Sequence, residues 1–260
     1  MKVIIIYFLS LPLFASIVSE DFQYQIPDTT QTTSEITETE FYSIPYEILN
    51  FFSNERQIQL KFDWSKPYFS AWASKVQDSY FMNFWGGFAR LPIMTKATWA
   101  FVSCHELGHI IGGSPYSRTE LLSWSSAEGQ ADHFAWNVCL PKYLQALFDQ
   151  EKLDFIFVNE SKCLLQYELI DKQIICQHMQ DVARRFNEIL LYMKIVSLPA
   201  TYEEFEEATS STIFDGYPSG QCRFDIARSA SFNLGLEVKR NNCWFASEEQ
   251  KPILRSHLPK

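Results

Sequence analysis

The stretch TWAFVSCHELGHIIGGSP, residues 98–115, constrains this chain more than any other. It sets two histidines, His105 and His109, one helical turn apart, with Glu106 beside the first. Residues at i and i+4 of an α-helix share a face, so both imidazoles can offer a nitrogen to one ion. Glu106 lies about 100° further round, past the ion yet within reach of a water bound to it. H-E-x-x-H is therefore two ligands and a base written as spacing. Thr95 is placed to cap this helix, and Gly112-Gly113 followed by Pro115 would end it.

A catalytic zinc wants a third protein ligand and leaves the fourth position to water or substrate. In the pattern H-E-x-x-H-x-x-G-x-x-H the glycine falls on Gly112, but the third histidine would fall on Pro115, which has no ligating atom. The other source is a carboxylate from a second helix, predicted over SSAEGQADHFAWNVCL. Ser125 and Glu128 stand there in capping-box spacing, and Pro141 ends the segment. Glu128 can return to the metal across the intervening turn. Asp132, one turn later on the same face, can accept the spare N–H of a ligating histidine and fix its tautomer. His133 lies about 140° round the helix from Glu128, so both could not face one ion.

HELGH followed by EGQAD resembles the gluzincin branch of zinc metallopeptidases, in which a glutamate from a later helix completes the site. More widely, GGFARLP, CHELGHIIGGSP, EGQADHFAWNVC, QCRFDIARSA and NNCWF resemble a family of exported bacterial proteins taken to be metallopeptidases. That similarity spans roughly residues 80–245. It implies a zincin-like fold, with His105, His109 and Glu128 binding Zn2+ and Glu106 acting as general base on the metal-bound water. Such proteins tend to carry extra acids beside the ligand glutamate, whereas Ala127, Gly129 and Gln130 stand here. The third-ligand role thus rests on Glu128 alone. Zincins also lay substrate against an edge strand before the metal helix, and SYFMNFWGGFAR is the expected one.

The N-terminus reads as an export signal: Met1-Lys2, then an apolar run over Val3–Val18, with small residues at Ala15 and Ser19 before Glu20-Asp21. At about 16 residues that run is shorter than the roughly 20 a spanning helix needs. Export agrees with six cysteines and no C-x-x-C, which read as disulfides formed in an oxidising compartment. The expected pairs are Cys222 with Cys243, and Cys139 with either Cys163 or Cys176. Residues 20–40, rich in Thr, Glu and Gln, read as a flexible leader, and 41–260 as one domain with a core built on 22 Phe, 12 Tyr and 7 Trp. With 31 acidic against 22 basic residues and no basic run, nucleic acid is a poor partner. A peptide or protein substrate is expected, with no stable membrane insertion once the signal is cleaved.

Period-two alternation of Ile58, Leu60, Phe62 and Trp64 predicts a strand, and YFSAWASKVQ with SYFMNFWGGFAR predicts a hairpin that Gly86-Gly87 ends or bulges. Ile175, Met179, Val182, Phe186, Ile189 and Met193 mark a long amphipathic helix, and QCRFDIARSASF a short one. Strands early and helices late give an α+β class. His178 on the long helix is expected to be structural, with an oxyanion role as the alternative. Arg223 and Asp225 are expected to form a buried pair, with substrate binding as the alternative, and His257 to be solvated. The functional expectation is an exported zinc peptidase. Its alternatives are a non-catalytic exported binding protein braced by zinc, and a zinc amidase acting on a non-peptide amide.

Overall fold

A computed structural model describes residues 13–16, 34–52, 56–156, 162–236 and 239–246. The remainder of the expected signal, most of the leader, the Asn159-Glu160-Ser161 sequon and His257 lie outside the described residues. In chain order the elements are β1 Leu13–Ser16, α1 Glu38–Asn50, β2 Ile58–Asp63, β3 Ala71–Val76, β4 Ser79–Trp85, α2 Gly86–Ala89, α3 Lys96–Ile111, α4 Glu128–Phe134, α5 Leu140–Asp149, α6 Lys162–Gln166, α7 Ile170–Tyr192 and α8 Gly220–Ser231. The class is α+β, as the sequence predicts.

The sheet is small. Three strands, β3-β4-β2, form its body, and the backbone of β1 adds along the outer side of β3. β3 and β4 make the expected hairpin, with Ala73 opposite Met82 and a turn at Gln77-Asp78, where Gln77 takes φ 54°. β2 pairs parallel to β4, Leu60 opposite Met82. β4 is therefore central and paired on both sides. It cannot accept an added strand, which corrects the expectation that SYFMNFWGGFAR is the substrate-binding edge; among the described strands the edges are β1 and β2. Gly86 and Gly87 open the short α2 instead of bulging the strand.

One face of the sheet packs on α1 and α3 through rings. Phe84 meets Trp99 edge-on at 5.4 Å, Phe41 stacks on Trp99 at 5.4 Å, and Phe41 meets Phe62 at 5.4 Å. Such pairs add about 0.5–1.5 kcal/mol each beyond their area burial. α1 begins inside the expected leader. Ile36 is buried, and Thr37 with Glu40 forms a capping box, the Thr37 N–H donating to Glu40 Oε2 at 2.9 Å.

α3 is capped by Thr95, whose Oγ1 accepts from the Thr98 N–H at 3.2 Å. Every residue from Thr98 to Ile110 is buried, so this helix is the core axis and not an amphipathic surface helix. On its far side Phe101 stacks on Trp136 at 4.2 Å and meets Phe186 of α7 at 4.8 Å. The six predicted apolar positions from Ile175 to Met193 are all buried.

Pro141 does not end the second helix. α4 passes through a π turn, Ala135–Cys139, directly into α5, with the Leu140 N–H bonding to Ala135 O, five residues back. Pro141 then falls in the first turn of α5, where its missing N–H costs little.

The disulfides are Cys104–Cys139, Cys163–Cys176 and Cys222–Cys243. The last is as expected. Cys139 pairs instead with Cys104, because the π turn lies against the middle of α3. Three disulfides fit an extracellular protein, and no described helix is long and apolar enough to cross a membrane. Cys104–Cys139 closes a 35-residue separation that spans the second half of α3 and the chain beyond it. Replacing both cysteines by serine is expected to lower unfolding free energy by about 2–4 kcal/mol, measured by urea denaturation.

Candidate metal centre

Glu128 returns to His105 and His109 because the chain after α3 folds back and bonds to the end of that helix. The Ser126 N–H donates to His109 O at 2.9 Å, the Ala127 N–H to Pro115 O at 2.9 Å, and Ser126 Oγ to Gly113 O at 2.7 Å. Gln130 Nε2 reaches Gly112 O at 2.6 Å. These bonds hold Ser126 and Ala127 extended, so α4 starts at Glu128 with Ala127 in the cap position. Ser125 does not cap it, contrary to the predicted capping box; its hydroxyl lies 3.2 Å from His109 Nδ1 instead.

α3 and α4 approach closely at Gly108. A methyl there would come 2.8 Å from Ala131 O and 2.9 Å from Ala131 Cα, so the glycine between the two histidines is what lets the helices touch. Gly129 has no room either, since a Cβ would collide with the Trp244 indole.

The two imidazoles stand perpendicular, centroids 4.7 Å apart. His105 Nε2 lies 3.1 Å from Glu128 Oε2, and His109 Nε2 lies 3.6 Å from Glu128 Oε1. Neither contact has hydrogen-bond geometry: both Nε2 atoms and Glu128 Oε2 are buried without a partner among the described residues. Burying unpaired polar atoms is costly, and three such atoms aimed at one point are what a metal ion would satisfy. His105, His109 and Glu128 form a group that could hold a metal ion, their ligand atoms all within 4.8 Å of one another.

The opposite ring nitrogens are tied down. His105 Nδ1–H donates to Asp132 Oδ1 at 2.8 Å, and His109 Nδ1–H to Ser126 O at 2.9 Å. In the neutral rings Nε2 is thereby the nitrogen left with the lone pair. Asp132 is in turn gripped by Arg223 of α8, Nε to Oδ2 and Nη2 to Oδ1, both at 2.7 Å. This replaces the expected Arg223–Asp225 pair, since Asp225 binds Arg228 at 2.8 Å. Burial would raise the Asp132 pKa, but Arg223 and His105 outweigh it and hold the carboxyl at about 2. At His105 burial works against the imidazolium, yet Asp132 and Glu128 lift its pKa to about 9.

Glu106 is fully buried, and neither of its oxygens makes a hydrogen bond with a described group. Burial, opposed by His105 and reinforced by Glu128, pushes its pKa up to about 8; the Ala73 backbone on β3 is near enough to pull slightly downward. The carboxyl thus combines proximity to the ligands with a proton affinity near neutrality. Cys104 is in a disulfide and takes no part. His133 is buried but outside the cluster, its Nδ1 lying 3.4 Å from Asn137 Nδ2. His178 binds Asp154 O at 2.8 Å, the structural role the sequence favours.

The sequence reading missed one contact that shapes the site: Arg223, its partner Asp132 being 91 positions away. Burial, Glu128, Glu106 and Asp132 push the Tyr217 phenol well above its ordinary value while Arg223 opposes them.

Fold and site together define an α+β protein with a buried His-His-Glu group able to hold a metal ion beside an unpaired carboxyl. No family model, no curated protein and no solved structure matches the chain.

Proposed function

We propose that this chain is an exported zinc-dependent peptidase of the gluzincin type with a zincin-like fold. The observation that carries the reading is a pair of imidazole Nε2 atoms and a carboxylate aimed at one point, with the free Glu106 carboxyl alongside. The 3.1 and 3.6 Å separations bracket the roughly 3.4 Å expected between ligands about 2.1 Å from one tetrahedral zinc. Two nitrogens and one carboxylate also suit zinc better than calcium or magnesium, which prefer all-oxygen sets. Bound there, zinc would polarise the scissile carbonyl and make water acidic near neutral pH.

The protein's own groups do the rest. Glu106 takes a proton from the attacking water and returns it to the leaving amine, a transfer its raised pKa favours. Asp132 and Ser126 O hold the two imidazoles in the ligating tautomer. β3 is the strand beside Glu106, and its outer side suits an extended backbone: Leu13–Ser16 pairs there antiparallel, Ala15 opposite Ala73. On this reading, release of residues 1–19 opens that edge to a substrate strand.

Chelator-stripped and zinc-loaded protein, each offered a quenched peptide library, test the proposal. About one zinc per chain is expected, with hydrolysis abolished by stripping and restored by zinc. Lower thermal stability on stripping, with no turnover in either form, would mean a bracing metal and end the enzymatic reading.

A further inference from the structure

One corner of the sheet collects positive charge in a chain whose formal charge is −9. Tyr80, near the start of β4, is its centre. The Arg56 guanidinium carbon lies 4.8 Å from the middle of the Tyr80 ring, and Lys75 Nζ lies 5.2 Å from it. Trp124 meets the same ring edge-on, centroids 5.7 Å apart. All four side chains are half-buried, so the corner is open to solvent. A tyrosine face attracts cations, which accounts for why both are held here. It does not account for what they serve. Neither cation is ion-paired with a described residue, and Trp124 Nε1 is buried with no hydrogen-bond partner among the described residues. An N–H shut away from water without an acceptor is costly, and a ligand that carries one relieves it.

The corner adjoins the candidate metal centre through two elements. Trp124 immediately precedes Ser125, whose hydroxyl lies 3.2 Å from His109 Nδ1, and the Ser126 N–H bonds to His109 O. Lys75 stands on β3 two residues beyond Ala73, about 7 Å along the strand. Side chains alternate along a strand, so Lys75 shares a face with Ala71 and Ala73. That is the face turned to α3, because Ala71 lies opposite Phe84, whose ring meets Trp99. The outer side of β3 supplies the register: Leu13 lies opposite Lys75, and Ala15 opposite Ala73. Residues directly opposite in an antiparallel pair point to one face, their Cβ atoms about 4.5–5.5 Å apart. A peptide strand in that register therefore sets one side chain beside Lys75.

We propose that Lys75, Arg56 and Trp124 form a specificity site that takes a carboxylate side chain, Glu or Asp, from a peptide lying along β3. The inference rests on the peptidase reading above and narrows it to peptides with an acidic residue at one fixed distance from the cut. Lys75 supplies the charge directly across the strand pair, Trp124 supplies an N–H in a partly dry setting, and Arg56 adds a second cation. Elsewhere the excess of acidic residues repels such peptides, so the preference belongs to this corner.

The test takes the exported, zinc-loaded protein and a peptide set in which Glu, Gln or Lys occupies each position round the cleaved bond in turn. At one position Glu is expected to exceed Lys by about 10–100-fold in kcat/KM, with Gln between them. Lys75→Glu should invert that order, and Lys75→Met should shrink it to about threefold or less. Trp124→Phe, which keeps a ring and removes the N–H, should lose part of the preference. Each variant should keep about one zinc and cleave the Gln peptide within about threefold of the parent's rate. Calorimetry of the Glu and Lys peptides on zinc-loaded Glu106→Gln should give the same order without turnover. Equal kcat/KM for Glu and Lys at every position, or a preference that Lys75→Glu leaves unchanged, would overturn the site and leave the peptidase reading standing. A Lys75-dependent preference for binding the Glu peptide, with no peptide hydrolysed by the parent, would end the peptidase reading and keep the corner as a carboxylate site. Neither binding nor hydrolysis of any peptide would sink both.

Discussion

Glu106→Gln is expected to cut kcat/KM for a peptide substrate by about 10²–10⁴-fold while the protein still binds about one zinc. The reasoning is local. Glu106 is not among the three converging donors, so an amide of the same shape leaves them in place. It removes the acceptor that must hold the water's proton between attack and departure of the amine. Stability should not suffer, because neither Glu106 oxygen makes a hydrogen bond that the change would break. A fully buried carboxyl, moreover, already resists ionisation and titrates at about 8. Zinc stoichiometry, thermal melting and steady-state kinetics on one preparation decide the matter. Parental turnover would remove Glu106 from the mechanism, and lost zinc would make it a ligand or a support for one.

Legibility in the sequence followed the range of each interaction. The histidine-bearing helix α3, its Thr95 cap and the His105–His109 pairing rest on contacts within four residues, and these were readable. Glu128 and Asp132 share a helix face, so their convergence on the two histidines was readable as well, although the start of that helix was not. Ser125 and Glu128 have capping-box spacing, but Ser126 and Ala127 stay extended to bond with the end of α3 and the loop after it, and tertiary bonds outweighed the local preference. Pro141 misled for a related reason: a π turn ahead of it shifts the hydrogen-bond ladder by one residue, and the helix carries on.

α1 was hidden by composition. Its start lies in a Thr/Glu-rich stretch and Pro45 stands inside it, yet Thr37 and Glu40 carried a capping signal that could have revealed it. The parallel pairing of β2 with β4 depends on a crossover that no local pattern encodes, which is why the hairpin was readable and the identity of the edge strand was not. Arg223 reaches the site from the far end of the chain. Its place follows from how α8 docks, and α8 docks by satisfying Asp132.

That docking contact leads to the second large effect. Asp132→Ala is expected to lower unfolding free energy by about 3–5 kcal/mol, because it strands the Arg223 guanidinium in the interior without its carboxylate. Arg223 and Asp132 are both buried, and two 2.7 Å bonds join them. The same change frees His105 Nδ1, and zinc affinity should fall about 10–100-fold as the imidazole loses its fixed tautomer. Asp132→Asn separates the two functions: its carbonyl oxygen can still accept from His105, while its neutral amide cannot balance Arg223. It should keep more of the zinc affinity than of the stability. Acid titration of metal-free protein supplies an independent check. The Asp132 pKa is depressed to about 2, so its contribution is fully present above the ordinary carboxylate pKa near 4 and disappears as pH falls from about 4 to 2. In Asp132→Ala that part of the acid limb should be flat. Urea unfolding at pH 7 and pH 3, together with zinc titration against a competing chelator, measures all three quantities. An alanine variant as stable as the parent, with parental zinc affinity, would mean that Asp132 neither anchors α8 nor orients His105.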